Sequence, residues 1–388
     1  MSGLNQTPSG ERIHIGIFGR RNAGKSALIN ALTGQSLAIV SDVAGTTTDP
    51  VSKAMELLPL GPVLITDTPG LDDVGELGEM RVEKTRAVLA KTDIAIIVID
   101  ASRGKSELET ALVEDVRARA VPYVVVYNKC DIKMPDVADG ISVSAATGEG
   151  IDALKEKLAS FASKEAEARL IGDLVERGDT VILVTPIDAS APKGRLILPQ
   201  QQVIRDLLEA GAMPLVCRES ELVAALEKIT PKMVVTDSQV FGLVSSIVPE
   251  GIPLTSFSML MARYKGNFAD AVSGAKALDC IKDGDRILIS EGCTHHRQCE
   301  DIGTVKLPMW IKKHTGAEVE YVFTSGAEFP SDLSAYKMVI HCGGCTLNAR
   351  ELRYRYAMAK AAGVPITNYG VAIAHIHGIL ERAAQPLL

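Results

Sequence analysis

The stretch Gly19-Arg20-Arg21-Asn22-Ala23-Gly24-Lys25-Ser26 decides the fold of the first part of the chain. It matches the pattern G-x-x-x-x-G-K-[ST] in full. An apolar segment at residues 12–18 predicts a β-strand before it, and residues 27–33 have a helical pattern after it. In this context, backbone N–H groups surround phosphate groups at the start of a helix. The residues that we expect to bind phosphate are Gly19, Asn22, Ala23, Gly24, Lys25, Ser26 and Ala27.

Side chains in and after this loop indicate how the phosphates are handled. Lys25 is expected to reach the β- and γ-phosphates as a catalytic residue, and Ser26 is expected to bind Mg²⁺. Asp67-Thr68-Pro69-Gly70 follows a predicted strand at residues 63–66, so Asp67 takes the position of a carboxylate that supports Mg²⁺. The N–H of Gly70 can then bind the γ-phosphate, which gives this glycine a catalytic role.

Two later segments predict that the base is guanine. Asn128-Lys129-Cys130-Asp131 follows a predicted strand at residues 124–127. Asp131 would accept hydrogen bonds from guanine N1 and N2, which adenine cannot supply. Residues 141–145 resemble the loop whose backbone N–H groups contact guanine O6. The expected base-binding residues are Asn128, Lys129, Asp131, Ser144 and Ala145.

The segment Ala44-Gly45-Thr46-Thr47-Thr48-Asp49 is placed like a first switch loop, in which a threonine binds Mg²⁺ and the γ-phosphate. By position we favour Thr47 over Thr46 as the Mg²⁺ ligand and catalytic residue, and we expect both to contact the nucleotide. Leu71 stands where Ras-like enzymes have a water-orienting glutamine, which predicts slow intrinsic hydrolysis of GTP. The alternative water-orienting residues are Glu76 and Glu79.

Composition and charge restrict the class of protein. A length of 388 residues predicts two or three domains, and 46% hydrophobic with 23% charged residues is typical of a globular chain. The net charge of −7 argues against a nucleic-acid partner, because phosphate-backbone binding depends on clustered Lys and Arg. No apolar run reaches the roughly 18 residues of a membrane span, and the first ten residues lack a secretory pattern. We expect a cytoplasmic protein with no nucleic-acid or membrane partner.

The middle of the chain has no catalytic grouping. Residues 178–258 alternate predicted strands and helices, which predicts a small parallel sheet. Because this module lies between two modules with sites, we expect it to form a homodimer. Residues 155–176 have a charged, Ala-rich helical pattern and are predicted to be the last nucleotide-domain helix plus a linker. The predicted domains are residues 1–168, 178–258 and 265–388.

Soft metal ligands follow two predicted strands in the last part of the chain. Cys293-Thr294-His295 comes after a strand at residues 286–290, and His341-Cys342-Gly343-Gly344-Cys345 comes after a strand at residues 337–340. If these strands are parallel neighbours, their C-terminal ends share the edge of the sheet where open α/β sheets bind ligands. Thiolates at this density favour zinc or an iron–sulfur cluster.

The spacing alone leaves three kinds of site open. Two Cys and two His would suit a four-coordinate structural zinc. Three Cys with a non-Cys fourth ligand would suit a [4Fe–4S] cluster. A redox Cys-x-x-Cys unrelated to Cys293 is the third interpretation. The further candidate ligands are Glu291, His295, His296, Cys299, Asp301 and His341.

A GTP-binding part joined to Cys293-x-His295 and His341-Cys342-x-x-Cys345 resembles the [FeFe]-hydrogenase maturation GTPases (the HydF family) over the whole chain. The resemblance implies an α/β fold, in which a P-loop GTPase domain is followed by two smaller parallel-sheet α/β domains, for dimerisation and cluster binding. It also implies a [4Fe–4S] cluster on Cys293, Cys342 and Cys345, with His295 and His341 as candidate additional ligands.

In such a family the protein is a scaffold. It would receive a transient two-iron precursor of the H-cluster from radical-SAM maturases and deliver it to apo-[FeFe]-hydrogenase. GTP hydrolysis would tune the binding or release of partners. The alternative is a GTPase switch with a structural zinc site that acts in tRNA modification or ribosome assembly.

The nucleotide-binding part also resembles the translation-factor-like GTPases that include the tRNA-modification GTPase. In that group the residue at the position of Asn22 helps to hold a potassium ion beside the phosphates, which implies K⁺-stimulated hydrolysis. Gly45-Thr46-Thr47 belongs to the same pattern, although Thr48 stands where an arginine is usual.

Overall fold

A computed structural model describes residues 7–34, 51–70, 84–135, 139–162, 169–187, 196–293, 301–326 and 328–388. The chain divides into two compact units, Met1–Ala166 and Glu167–Leu388. None of the helices in the described ranges is long and apolar enough to cross a membrane.

The first unit contains a six-stranded sheet in the order β2-β3-β1-β4-β5-β6. Only β2 is antiparallel to its neighbour, β3, and it lies at the edge of the sheet. The strands are β1 (Ile13–Gly19), β2 (Val51–Leu57), β3 (Gly61–Asp67), β4 (Ile94–Asp100), β5 (Tyr123–Asn128) and β6 (Ile141–Val143). The described helices are α1 (Lys25–Thr33), α2 (residues 84–90), α3 (Glu107–Ala118) and α4 (Ile151–Ala162).

Both faces of this sheet are covered by apolar side chains. In β4, Ile96 and Val98 pack in one buried cluster with residues of α1 and α4. Their neighbours Ile97 and Ile99 pack in a second cluster with residues of α3. Adjacent side chains in a strand point to opposite faces, so a parallel strand covered on both faces is apolar throughout.

The second unit contains two parallel four-stranded sheets, in the orders β10-β9-β7-β8 and β12-β11-β13-β14. The strands of the first are β7 (Thr180–Val184), β8 (Met213–Cys217), β9 (Met233–Thr236) and β10 (Leu254–Ser256). Those of the second are β11 (Arg286–Glu291), β12 (Glu320–Ser325), β13 (Met338–His341) and β14 (Ile366–Asn368).

Helices flank these strands. Those around the first sheet are α5 (Leu198–Glu209), α6 (Leu222–Lys228), α7 (Phe241–Ile247) and α8 (Phe257–Tyr264). Those around the second are α9 (Phe268–Ala275), α10 (Leu307–Thr315), α11 (Ala349–Ala361), α12 (Tyr369–Ile376) and α13 (Leu380–Ala384). The predicted fold class is therefore confirmed, with three mostly parallel sheets in chain order. The predicted domain boundaries stay predictions.

The prediction of a helix through residue 176 is wrong for its described end. Residues 169–176 form turns, and Leu170 and Ile171 are buried in the core of the second unit. The N–H groups of Ile171 and Gly172 both donate to the Asp206 carboxylate, at 2.8 and 2.7 Å. Because the Asp206 carboxylate accepts from two successive backbone N–H groups, it stabilises a turn in this segment. The local pattern of small and charged residues gave no indication of this distant partner.

Gly274 allows α9 to lie directly against β14. A Cβ at this position would be 2.0 Å from the carbonyl oxygen of Ile366, and backbone cannot move aside as a flexible side chain can. We predict that Gly274→Ala lowers the free energy of unfolding by about 1–3 kcal/mol, the usual cost of overpacking, in urea denaturation. Gly251→Ala is the control, since a Cβ there meets nothing within 4 Å. Equal effects of the two changes would contradict the close approach.

Candidate functional site

The predicted phosphate-binding loop joins the end of β1 to the start of α1. Gly24 has a φ of 89°, in the left-handed region. A Cβ on Gly24 would lie 2.2 Å from Nδ2 of Asn128. Glycine at this position is therefore required both by the backbone conformation and by the close approach of a second loop.

The two predicted Mg²⁺ ligands that the structure describes lie together. The hydroxyl of Ser26 donates to Oδ2 of Asp67 at 2.8 Å. Burial raises the pKa of the Asp67 carboxyl, although Ser26 and Lys25 act in the opposite direction. Oδ1 of Asp67 is buried and has no hydrogen-bond partner among the described residues. A buried carboxylate oxygen left in this way beside a serine hydroxyl fits a Mg²⁺ ion, which prefers oxygen ligands.

Lys25 lies across the loop. Its ammonium group donates to the carbonyl oxygens of Gly19 and Arg20, at 3.1 and 3.0 Å. Gly70 comes close to the same loop, since a Cβ on it would lie 2.8 Å from the backbone nitrogen of Arg21. Both predicted catalytic residues that the structure describes, Lys25 and Gly70, therefore border the phosphate-binding loop.

Asn128 ties the phosphate-binding loop to the base-binding loop. Its side chain is buried, donates to the carbonyl oxygen of Ala23 at 3.0 Å, and accepts from the N–H of Ala145 at 3.0 Å. Both functions of its amide are thus used inside the protein. We infer that Asn128 positions the two loops, while Asp131, which is exposed, is available to a base.

Lys129 is held by a partner that the sequence pattern did not suggest. Its ammonium group contacts Oδ2 of Asp100, at the end of β4, at 2.6 Å, and the carbonyl oxygen of Asn22 at 2.8 Å. Burial raises the pKa of Asp100, but hydrogen bonds from Lys129 and Ser102 outweigh it and hold the pKa below its usual value. The apolar run before Asp100 in the sequence could have predicted a carboxylate at the end of a buried strand.

Several predicted residues lie outside the described ranges. For these the structure neither supports nor opposes a role. They are Thr46, Thr47, Thr48, Leu71, Glu76, Glu79, His295, His296 and Cys299.

The two strands that precede the cysteines are parallel neighbours. Ser290 in β11 is in register with His341 in β13, so Cys293 and Cys342 follow adjacent strand ends. The sulfur of Cys342 accepts the N–H groups of Gly292 and Gly344, at 3.1 and 3.3 Å. Backbone donors of this kind stabilise a thiolate, as the sulfur ligands of iron–sulfur clusters require.

Burial and neighbouring groups determine the protonation of Cys342 and Cys345. Burial raises the pKa of the Cys342 thiol to about 12, and the nearby thiols of Cys293 and Cys345 act in the same direction. Burial also raises the pKa of Cys345, against the ammonium group of Lys265. Without a bound cation, Cys342 and Cys345 are therefore neutral thiols, and a metal would have to displace their protons.

His341 already has partners at both ring nitrogens. Its Nδ1 lies 2.9 Å from the carbonyl oxygen of Cys342, and its Nε2 lies 3.1 Å from the guanidinium of Arg355. Arg355 can only donate, so Nε2 accepts and Nδ1 carries the proton. Burial, with the Arg355 charge, lowers the pKa of His341 to about 3. Because both ring nitrogens are already engaged, His341 is better suited to support the cysteine loop than to bind a metal directly.

Two buried cations support the cysteine loops, and sequence reasoning missed both. Arg355 donates to Gly326 O at 2.7 Å and to Glu351 at 2.8 Å as well as contacting His341. Lys265 donates to the carbonyl oxygens of Gly344, at 2.7 Å, and Leu347. Buried cations are rare unless they are paired. The pairing of Lys265 and Arg355 with groups of the cysteine loops therefore indicates that these two residues hold the loops in place.

The two carboxylates proposed as a fourth ligand have other contacts. Oε1 of Glu291 accepts the hydroxyl of Tyr369 at 3.1 Å. Asp301 caps residues 302–306 by accepting from the N–H of Thr304 at 2.8 Å. In each case this contact engages one carboxylate oxygen, so both residues stay predicted candidate ligands.

Arg355 provides a test of how the cysteine site is held. We predict that Arg355→Leu lowers the free energy of unfolding by about 3–5 kcal/mol, because it leaves buried acceptors without a donor. Arg353→Leu on the same helix is the matched control, since Arg353 is exposed. Thermal unfolding followed by circular dichroism measures both. Equal melting temperatures would show that the buried contacts of Arg355 contribute little.

Two curated relatives match part of this chain. It is 36% identical over 174 residues to the GTPase Der of Wolinella succinogenes, covering 40% of this chain and 36% of that protein. It is 39% identical over 172 residues to the tRNA modification GTPase MnmE of Xanthomonas campestris pv. campestris, covering 43% and 36%. The chain thus spans about a third of the length of these curated relatives.

Solved structures are similar to a comparable share of the chain. The structure of an Aquifex aeolicus Era variant bound to GDP.AlF4⁻ matches with a TM-score of 0.34 and 20% identity, over 53% of this chain and 93% of that one.

Family models match all three sheet-containing parts. Residues 14–129 match the model described as a 50S ribosome-binding GTPase. Residues 170–266 match the hydrogen maturase F dimerization domain, and residues 269–386 match the hydrogen maturase F tetramerization domain. The last two descriptions confirm that the protein oligomerises, and the two models together cover more than half of the chain. With a GTPase domain ahead of them, they establish that this chain belongs to the HydF hydrogenase maturase family.

Proposed function

We propose that this protein is a GTP-hydrolysing scaffold that holds a [4Fe–4S] cluster on Cys293, Cys342 and Cys345. In this role it receives a two-iron precursor of the H-cluster as cargo from radical-SAM maturases. It then delivers that cargo to apo-[FeFe]-hydrogenase. The proposal places the protein in the cytoplasm, acting as a homodimer or a higher assembly of dimers.

The observation that supports the proposal is the position of three partly buried cysteines after adjacent strand ends at one sheet edge. Cys342 receives two backbone N–H donors, and its thiol is close enough to those of Cys293 and Cys345 to be affected by both. This donor set fits a cluster with three cysteine ligands. When bound, such a cluster offers an iron position that is not held by cysteine, where cargo can attach.

The chain's own residues define what surrounds that position. Arg355 holds His341 in one tautomer, and Lys265 fixes the loop that carries Cys345 through its carbonyl groups. These two cations also offset the negative charge of a thiolate-bound group. The start of α11, just after Cys345, adds the positive end of a helix dipole.

The first unit supplies the switch in this proposal. Lys25 and Gly70 would contact the γ-phosphate, and Ser26 and Asp67 would hold Mg²⁺. Asn22 would hold K⁺ beside the phosphates and so stimulate a slow intrinsic reaction. The residues of the phosphate site and those of the cysteine site belong to different compact units. In this proposal, GTP hydrolysis therefore changes the affinity of the protein for its partners and does not take part in chemistry at the cysteines.

The cluster assignment is tested by iron and sulfide content and an EPR spectrum after anaerobic reconstitution. We expect a reducible four-iron signal in the wild type that is lost in Cys342→Ala. Cys217→Ala is the control, since Cys217 ends β8 in the other sheet and should keep its iron. Tight zinc without iron in the wild type would instead favour a structural metal site.

The separation of the two sites is tested with Lys25→Ala. We predict that GTP hydrolysis falls by on the order of 1,000-fold, because a cation that stabilises the transferred phosphoryl group is lost. Cluster iron content should be unchanged. Lys157→Ala, on the exposed surface of α4, is the control for charge. A loss of iron in Lys25→Ala would contradict a modular arrangement.

The potassium assignment is tested by replacing K⁺ with Na⁺. Hydrolysis in the wild type should slow by on the order of 100-fold, the scale for one electrostatic contact to the developing charge. Asn22→Ala should hydrolyse slowly in both salts. Equal rates of the wild type in K⁺ and Na⁺ would remove Asn22 from this role.

A further inference from the structure

Asp279, His314 and His375 form a group of potential metal ligands that does not include Cys293, Cys342 or Cys345. Nε2 of His314 lies 2.9 Å from Oδ1 of Asp279, and Nε2 of His375 lies 3.0 Å from the same oxygen. The three potential ligand atoms all lie within 4.8 Å of one another. The rings of the two histidines are 5.8 Å apart at an interplanar angle of 68°, so the imidazoles approach the carboxylate from different directions.

Three separate elements bring these residues together. Asp279 is in the 3₁₀ helix Lys276–Cys280, and the histidines are in the last turns of α10 and α12. Sequence distance between the two histidines is large, so their meeting is a product of the fold. A pair of histidines that converges on one carboxylate is not accounted for by the nucleotide site or by the cysteine site.

We propose that Asp279, His314 and His375 bind a divalent transition-metal ion of the zinc type. Two imidazole nitrogens and one carboxylate oxygen form a three-ligand set that leaves a fourth, open position of a tetrahedral site to water. Imidazole and carboxylate together suit zinc better than Mg²⁺ or Ca²⁺, which prefer oxygen ligands alone. The proposal does not depend on the function of the cysteines.

The electrostatic surroundings favour a cation. The C-terminal end of a helix carries partial negative charge, and both histidines lie at such an end. Hydrogen bonds from His314 and His375 hold the pKa of Asp279 below its usual value, so the carboxylate is ionised. Of the nearby lysines, Lys312 is paired with Glu318 at 2.5 Å, which reduces its repulsion of an incoming ion.

The site is accessible to an ion from solution. The side chains of Asp279 and His314 are 55% and 25% exposed, and that of His375 is 17% exposed. A bound ion would replace the hydrogen bonds to Asp279 with coordination bonds and would join α10 to α12.

The other end of α12 lies near the cysteine loop. The N–H of Gly370 donates to the hydroxyl of Ser258, and a Cβ on Gly343 would be 3.4 Å from the same hydroxyl.

The experiment must separate this site from the thiols, which also bind zinc. We would use the full-length chain carrying Cys342→Ala and Cys345→Ala, and titrate Zn²⁺ in competition with a chromophoric chelator. We expect one zinc equivalent to remain in this background. Adding His314→Ala and His375→Ala should weaken zinc binding by at least about 100-fold. Loss of a residue that only supports a ligand already weakens metal binding by up to about 100-fold, and these two changes remove ligands themselves.

Matched controls decide the outcome. His377→Ala removes a neighbouring histidine of the same helix end that is outside the group, and it should leave the zinc equivalent intact. Co²⁺ in place of zinc should give the weak visible bands of a tetrahedral nitrogen and oxygen site without a thiolate charge-transfer band. The circular dichroism spectrum should be unchanged in the histidine variants, as a check on the folding of the second unit. Absence of the zinc equivalent, or its survival in the double histidine variant, would overturn the proposal.

Discussion

The parallel pairing of β11 with β13 is the constraint on which the cysteine site depends. The two strands are far apart in sequence, and their register at Ser290 and His341 sets which residues leave the sheet together. A slip by one residue would turn His341 from its buried partners and move Cys342 away from the N–H of Gly292. The buried contacts of Arg355 with Ser290, His341 and Gly326 span three strand ends and hold this register. The backbone register of the sheet therefore determines where the cysteines of the site lie.

A similar division of roles holds in the nucleotide-binding unit. Asn128 and Lys129 belong to a motif associated with the base, yet their side chains make contacts inside the protein, to Ala23, Ala145, Asn22 and Asp100. They assemble the loops before any ligand arrives, which lowers the ordering cost of binding. In both units, buried polar residues position the backbone groups that a ligand would contact.

Sequence alone predicted the parts of the structure whose chemistry is local. The phosphate-binding loop, the carboxylate at the end of β3 and the alternation of strands with helices follow from short patterns, and each was found. Arg355 could not be predicted, because Arg350, Arg353 and Arg355 share one helix and only the fold decides which of them is buried. Lys265 and Asp100 have the same character, since their partners lie far away in sequence. The turn at residues 169–176 was mistaken for helix because a distant carboxylate, Asp206, determines its shape.

The second unit has one continuous buried core from Leu170 to Leu387, although two family models divide it near residue 267. Helix α8 lies just before that division, and Met259, Leu260 and Met261 are fully buried. A chain cut at the division would expose this apolar surface to water on both pieces. We therefore expect the two sheets to unfold together as one cooperative unit, and neither piece to fold well as an independent fragment. A change that destabilises the sheet next to the cysteines is then expected to destabilise the sheet of the dimerization domain as well, through the shared core alone.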